Sequence, residues 1–172
     1  MAIEIERKFR VVGDFKDAAT SSSRILQGYI CSQRGRTVRV RLRDDYDASG
    51  ALIAERSFIT IKGPSRDGGL SRYEFEKEIS RDEGLSLLAI SEPGIIDKIR
   101  WIVPYEGHVF EVDEFFGDNE GLVFAEVELN SEDEVVALPP FIGQEVTGLR
   151  RFYNSVLRQY PFKDWTDEER RL

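Results

Sequence analysis

Ile3-Glu4-Ile5-Glu6-Arg7-Lys8-Phe9-Arg10-Val11-Val12 alternates in charge: Glu4, Glu6, Lys8 and Arg10 fall on one side, and Ile3, Ile5, Phe9 and Val11 on the other. A period of two marks a β-strand with unlike faces, because successive Cβ atoms point to opposite sides of the pleat. The pattern recurs along the chain. Thr37 to Arg43 sets Arg39, Arg41 and Arg43 against Val38, Val40 and Leu42, and Arg72 to Ile79 sets Arg72, Glu74, Glu76 and Glu78 against Tyr73, Phe75 and Ile79. Lys98 and Arg100 alternate with Ile99 and Trp101, Glu111 and Asp113 with Phe110 and Val112, and Glu126 and Glu128 with Ala125, Val127 and Leu129. Ile25 to Ser32 and Arg56 to Lys62, rich in β-branched and aromatic residues, bring the predicted strands to eight.

Turn chemistry at Gly35, Asp47 to Gly50, Gly63 to Gly69, Glu106-Gly107 and Gly117 to Gly121 joins these strands in antiparallel order. Ser80 to Glu83 and Ser131 to Glu134 both have the capping-box form, and each predicts a short helix. A longer helix is predicted over 148–160, where Leu149, Phe152, Tyr153, Val156, Leu157 and Tyr160 make an apolar stripe that Pro161 ends. A weaker helix follows Asp14, and Thr166 caps another.

The charged face of a single strand ordinarily meets water. Here six strands carry almost nothing but Glu, Asp, Lys and Arg on that face. If the strands close into a barrel, the apolar stripe of 148–160 requires an apolar outer surface, so the charged side faces the lumen. The expected fold is α+β: an eight-stranded antiparallel β-barrel, a tunnel with a charged lumen and amphipathic helices packed on the outside. Residues 1–172 form a single domain in this reading. An outer-membrane barrel would share the inverted pattern, but Arg7, Lys77 and Glu114 point outward, where Lys or Arg near the bilayer midplane costs about 2–4 kcal/mol.

The formal net charge of −8 over 172 residues argues against general binding to nucleic acid or anionic membrane. Cys31 has no partner for an intramolecular disulfide and no apolar run is long enough to span a bilayer, which together point to the cytoplasm. One cysteine and one histidine, His108, also leave little room for thiolate, His-ligated zinc or Ser-His chemistry. The chemistry must rest on carboxylates, Lys, Arg and Tyr.

Confining so many charges only to neutralise one another is costly, since desolvation can outweigh their attraction. Arg39/Arg41 and Lys98/Arg100 present cationic pairs toward one lumen and suit the oxygens of a polyphosphate. Glu4/Glu6 and Glu126/Glu128 suit a hard divalent cation such as Mg²⁺ or Mn²⁺. The expected guest is an elongated phosphate chain bridged by metal.

Glu4-Ile5-Glu6-Arg7-Lys8 resembles the N-terminal signature of the CYTH or triphosphate tunnel metalloenzyme family. The resemblance continues in order through Gln27 to Ile30, Arg39-Val40-Arg41, Ile61 to Gly63, Ser71 to Glu76, Lys98 to Arg100, Glu111 to Phe115, Glu126 to Glu128 and Glu145 to Gly148. It implies metal ligands at Glu4, Glu6, Glu126 and Glu128, with Asp113 added. It implies phosphate-binding cations at Lys8, Arg39, Arg41, Lys62, Arg72, Lys98 and Arg100. Tyr29 with Lys98 resembles a catalytic pair of the small bacterial inorganic triphosphatases, with a core tyrosine as the alternative for Tyr29. Leu149 to Phe152 departs from the family pattern. The implied function is hydrolysis of inorganic tripolyphosphate to pyrophosphate and phosphate with Mg²⁺ or Mn²⁺. A class IV adenylyl cyclase, a thiamine triphosphatase and a non-catalytic polyphosphate- or nucleotide-binding module remain as alternatives. The implied partner is a small-molecule triphosphate, with neither nucleic acid nor membrane, and a homodimer is left open.

Overall fold

The alternating segments form strands in the computed structural model, which describes residues 5–66 and 71–171, with the side chains of residues 65, 66, 71 and 72 outside the described set. The strands are β1 (Ile5–Val11), β2 (Ser21–Cys31), β3 (Thr37–Asp47), β4 (Leu52–Arg66), β5 (Ser71–Ile79), β6 (Ile96–Tyr105), β7 (His108–Phe115), β8 (Val123–Leu129) and β9 (Ile142–Glu145). They form one antiparallel sheet in the order β5-β4-β3-β2-β6-β7-β8-β1-β9. Two features differ from the expected eight-stranded barrel. The sheet has nine strands, and among the described residues no ladder joins β5 to β9, so it stays open at those edges. The additional strand is short and contains Gly143, where a Cβ would stand 2.6 Å from Val12 Cγ1; glycine lets β9 approach β1 this closely.

Residues paired across antiparallel strands share a face, so the register identifies the charged one. Arg10 faces Phe124, Phe124 faces Asp113, Asp113 faces Arg100, and Arg100 faces Ser23. One step along the sheet, Lys8 faces Glu126 and Glu126 faces Glu111. The opposite face is apolar. Phe9, Val103, Phe110, Val112, Ala125 and Val127 are buried there under Phe15 and Phe141. Helix α1 (Arg81–Ala89), opened by the Ser80 and Glu83 capping box, covers the same face further along. Gly84 permits that contact, since a Cβ there would lie 3.1 Å from both Leu42 and Ser57.

The C-terminal segment does not join that outer layer. Ile96, Phe115 and Phe124 occupy the charged face at one end of the sheet, and Phe152, Leu157 and Trp165 are buried against them. Apolar side chains on an otherwise charged face need a cover, and the stripe of 148–160 supplies it from within. The predicted continuous helix is broken: a 3₁₀ turn spans Arg150–Phe152, Tyr153 is extended, and α2 covers Asn154–Leu157. Tertiary packing overrides helix propensity here. Phe152 is locked between Phe124 and Trp165, at centroid distances of 6.0 and 5.1 Å, and its carbonyl accepts a hydrogen bond from Lys8 Nζ.

The other predicted helices divide. The segment after Asp14 forms a 3₁₀ turn, Lys16–Ala18, and Thr166 caps α3 (Asp167–Arg171) through a reciprocal pair with Glu169. Ser131 to Glu134 makes only a turn. The Glu134 carboxylate accepts from the Asn130 backbone N–H, one residue too early for the capping box, and Pro139-Pro140 follows. Among the described residues no helix is long and apolar enough to cross a membrane.

Candidate active site

Two cavities open beside the charged face. The acidic one, of about 260 Å³, is lined by Glu6, Glu111, Glu126 and Glu128, with His108 and Glu134 at its wall. The basic one, of about 230 Å³, is lined by Tyr29, Arg39, Thr60, Lys62, Ser155 and Arg158. The strand period places the glutamates: Glu6 faces Glu128 and Glu111 faces Glu126 across their ladders. Glu4 lies outside the described residues, as does the side chain of Arg72.

A buried ion cluster stands on the same face. Asp113 is 1% exposed; Oδ1 accepts from Arg100 Nε at 2.8 Å, while Oδ2 accepts from Lys98 Nζ and Arg100 Nη2, both at 2.9 Å. Burial alone would raise the Asp113 carboxyl, but the charge and hydrogen bonds of Lys98 and Arg100 outweigh it and bring it down to about 2. Burial pulls the Lys98 ammonium below the ordinary lysine value, against the attraction of Asp113 and with added repulsion from Arg100 and Arg41. Arg100 has a second acceptor in Glu111, at 2.9 Å, and its own value is raised: the hydrogen bonds and charges of its acidic partners exceed the cost of burial. Asp113, expected among the metal ligands, thus has both oxygens engaged by cations and does not line the acidic cavity. Glu111 lines it instead.

Lys8 is buried, with Nζ 3.2 Å from Glu126 and 4.6 Å from the Phe124 ring centroid. Arg41 has a neutral partner: Nε and Nη2 both donate to Gln27 Oε1, at 2.9 and 2.7 Å. Burial and the like charges of Arg39 and Arg100 push its guanidinium down to about 10. Arg39 donates a long bond of 3.5 Å to Thr60 Oγ1, and among the described residues its buried Nε has no hydrogen-bond partner. Among the described residues neither Arg39 nor Arg41 has a carboxylate counterion, an arrangement that leaves both arginines able to receive an anion.

Among the described residues no hydrogen bond joins Tyr29 to Lys98. Lys98 faces Ile25 across the ladder, and Tyr29 lies four residues further along β2, about 13 Å by strand rise. Tyr29 belongs to the basic cavity, beneath the Arg158 guanidinium, which sits 5.1 Å above its ring centroid. The C-terminal segment adds residues that sequence reasoning missed. Asn154 Oδ1 accepts from Lys98 Nζ at 3.2 Å, and Ser155 and Arg158 close the basic cavity.

A family model described as the CYTH domain matches residues 2–158. The chain belongs to the CYTH domain family. This CYTH domain is 40% identical over 168 residues to an inorganic triphosphatase of Acetivibrio thermocellus, covering 97% of this chain and 100% of that protein. It is 34% identical over 158 residues to an inorganic triphosphatase of Nitrosomonas europaea, covering 90% and 95% of the two chains. A crystal structure of an inorganic triphosphatase matches the CYTH domain with a TM-score of 0.71 at 30% identity, covering 90% of this chain and 97% of the other.

Proposed function

We propose that this CYTH domain is a divalent-metal-dependent inorganic triphosphatase that hydrolyses tripolyphosphate to pyrophosphate and phosphate. The observation that carries the proposal is the division of one charged face into a carboxylate cavity and a cation cavity, with Arg41 held near the latter by a neutral glutamine. Relatives named inorganic triphosphatases match nearly the whole chain and support the same reading.

The acidic cavity suits a hard cation by its donors, since the carboxylates of Glu6, Glu111, Glu126, Glu128 and Glu134 line it. Glu6, Glu126 and Glu128 would hold the ion, together with Glu4 two residues before Glu6. Among the described residues no three such side chains already converge at chelating distance. The bound ion would neutralise phosphate oxygens and acidify a water.

The chain's own residues do the rest. Arg39, Arg41 and Lys62 bind the phosphate oxygens, and Lys8, Lys98 and Arg100 add positive charge along the face. Asp113 holds Lys98 and Arg100 in place. Water oxygen bonds to a terminal phosphorus, the bond from that phosphorus to the bridging oxygen breaks, and pyrophosphate leaves with that oxygen. A carboxylate of the acidic cavity accepts the proton of the attacking water. The basic cavity favours an inorganic substrate, because Arg39, Lys62 and Arg158 line it and the Arg158 guanidinium lies over one face of its aromatic ring, Tyr29. The test is phosphate release from tripolyphosphate, ATP, thiamine triphosphate and pyrophosphate with Mg²⁺ or Mn²⁺, beside a cyclic-AMP assay. The highest kcat/KM belongs to tripolyphosphate. A higher value for ATP, or cyclic AMP accumulating from it, overturns the proposal.

A further inference from the structure

We infer that Arg158, carried by the C-terminal segment, is a third phosphate-binding cation of the basic cavity and grips the end of the substrate chain beside Arg39 and Lys62. The inference rests on the triphosphatase reading and adds a residue to its substrate site. Arg158 lines the same cavity of about 230 Å³ as those two cations, and its side chain is only 11% exposed. Among the described residues its buried Nε has no hydrogen-bond partner, and neither has that of Arg39. Its one carboxylate contact among the described residues is Nη1 to Glu92 Oε2, at 3.3 Å. A guanidinium with one engaged corner and a donor still unmet is matched by a phosphate, whose oxygens accept two parallel N–H bonds.

The fold fixes where this side chain emerges. The Glu92 backbone N–H donates to the Tyr29 carbonyl at 2.7 Å, and the Glu92 carboxylate accepts from Ser32 Oγ at 2.6 Å, which anchors the 92–94 turn to β2. Gly94, at φ +98°, lies so close that a Cβ would stand 2.3 Å from the Arg158 carbonyl oxygen. The turn therefore seats the backbone of Arg158, while Glu92 holds its guanidinium in the free protein and competes with a bound anion for it.

That competition gives two variants effects of opposite sign. Tripolyphosphate binding is measured by calorimetry in EDTA on the full chain, and KM and kcat with metal. Arg158→Ala weakens binding about tenfold and raises KM more than it lowers kcat, with an unchanged unfolding curve, and Arg158→Lys recovers part of the loss. Glu92→Gln, which keeps the Ser32 contact but removes the competing charge, tightens binding. Wild-type affinity in Arg158→Ala overturns the inference, as does weaker binding in Glu92→Gln, which would make Arg158 a latch for the segment. If Arg158→Ala fails to fold, Arg158→Lys and Glu92→Gln still decide. Wild-type binding without turnover defeats the triphosphatase reading and leaves the Arg158 site standing. Turnover with an Arg158→Ala that binds normally defeats Arg158 alone, and no wild-type binding in EDTA defeats it too.

Discussion

Asp113→Asn removes one charge from the cluster that packs Lys98 and Arg100 against the sheet while keeping size and shape. The Lys98 side chain is 2% exposed and that of Asp113 1%, so the ammonium loses its counterion where water does not reach. Breaking a buried pair from one side costs roughly 3–5 kcal/mol at neutral pH. Linkage sets how that cost varies with pH. The carboxyl stands at about 2 in the fold against an ordinary value of 3.8. A depressed folded value contributes stability above the unfolded value and loses it as pH falls through the folded one, here about 2–3 kcal/mol lost between roughly pH 5 and pH 1. Urea unfolding of wild type and variant at pH 7 and pH 2.5 measures both effects. The gap between the proteins is 3–5 kcal/mol at pH 7 and shrinks by more than 1 kcal/mol in acid. A gap under 1 kcal/mol at pH 7, or one indifferent to pH, refutes the buried pairing.

Glu126→Gln and chelation by EDTA each abolish turnover with the far-ultraviolet circular dichroism unchanged; full activity in excess EDTA contradicts the metal requirement. Arg41→Ala lowers kcat/KM by at least a hundredfold and leaves the melting temperature level or higher, because Arg41 has like charges and a neutral glutamine for neighbours. A melting temperature several degrees lower would make Arg41 structural. Phe152→Ala, at a fully buried site between two rings, costs about 3–5 kcal/mol by thermal unfolding, and a loss below 1 kcal/mol would show that the C-terminal segment is not seated on the sheet.

Period-two alternation was sufficient to locate eight strands and the charged face, because a strand's inside and outside are written in every second residue. It failed where a contact depends on neighbours across the ladder. Glu111 and Asp113 alternate identically in the sequence, yet Asp113 lies opposite Arg100 and is consumed by it, whereas Glu111 lies opposite Glu126 and lines the acidic cavity. β9 was too short to show a period, and its Gly143 breaks what pattern four residues can hold. The stripe of 148–160 was legible, but a stripe names the apolar side of a segment and not which side of a sheet it will cover. Arg158 stands off that stripe, and its place is set by the distant Glu92-Pro93-Gly94 turn, which no local pattern reveals.

Lys8 lies in the first described strand, and the carbonyl that accepts its hydrogen bond belongs to Phe152, 144 positions later. β1 also pairs with β8 and β9, so this strand waits on the ribosome for partners made much later in the chain. Hairpins β2-β3 and β3-β4 have local partners and can form as they emerge. Lys8 on the charged face therefore remains hydrated until the segment around Phe152 has emerged and seated. A nascent chain halted before residue 146 would hold most of the sheet and bind its substrate poorly.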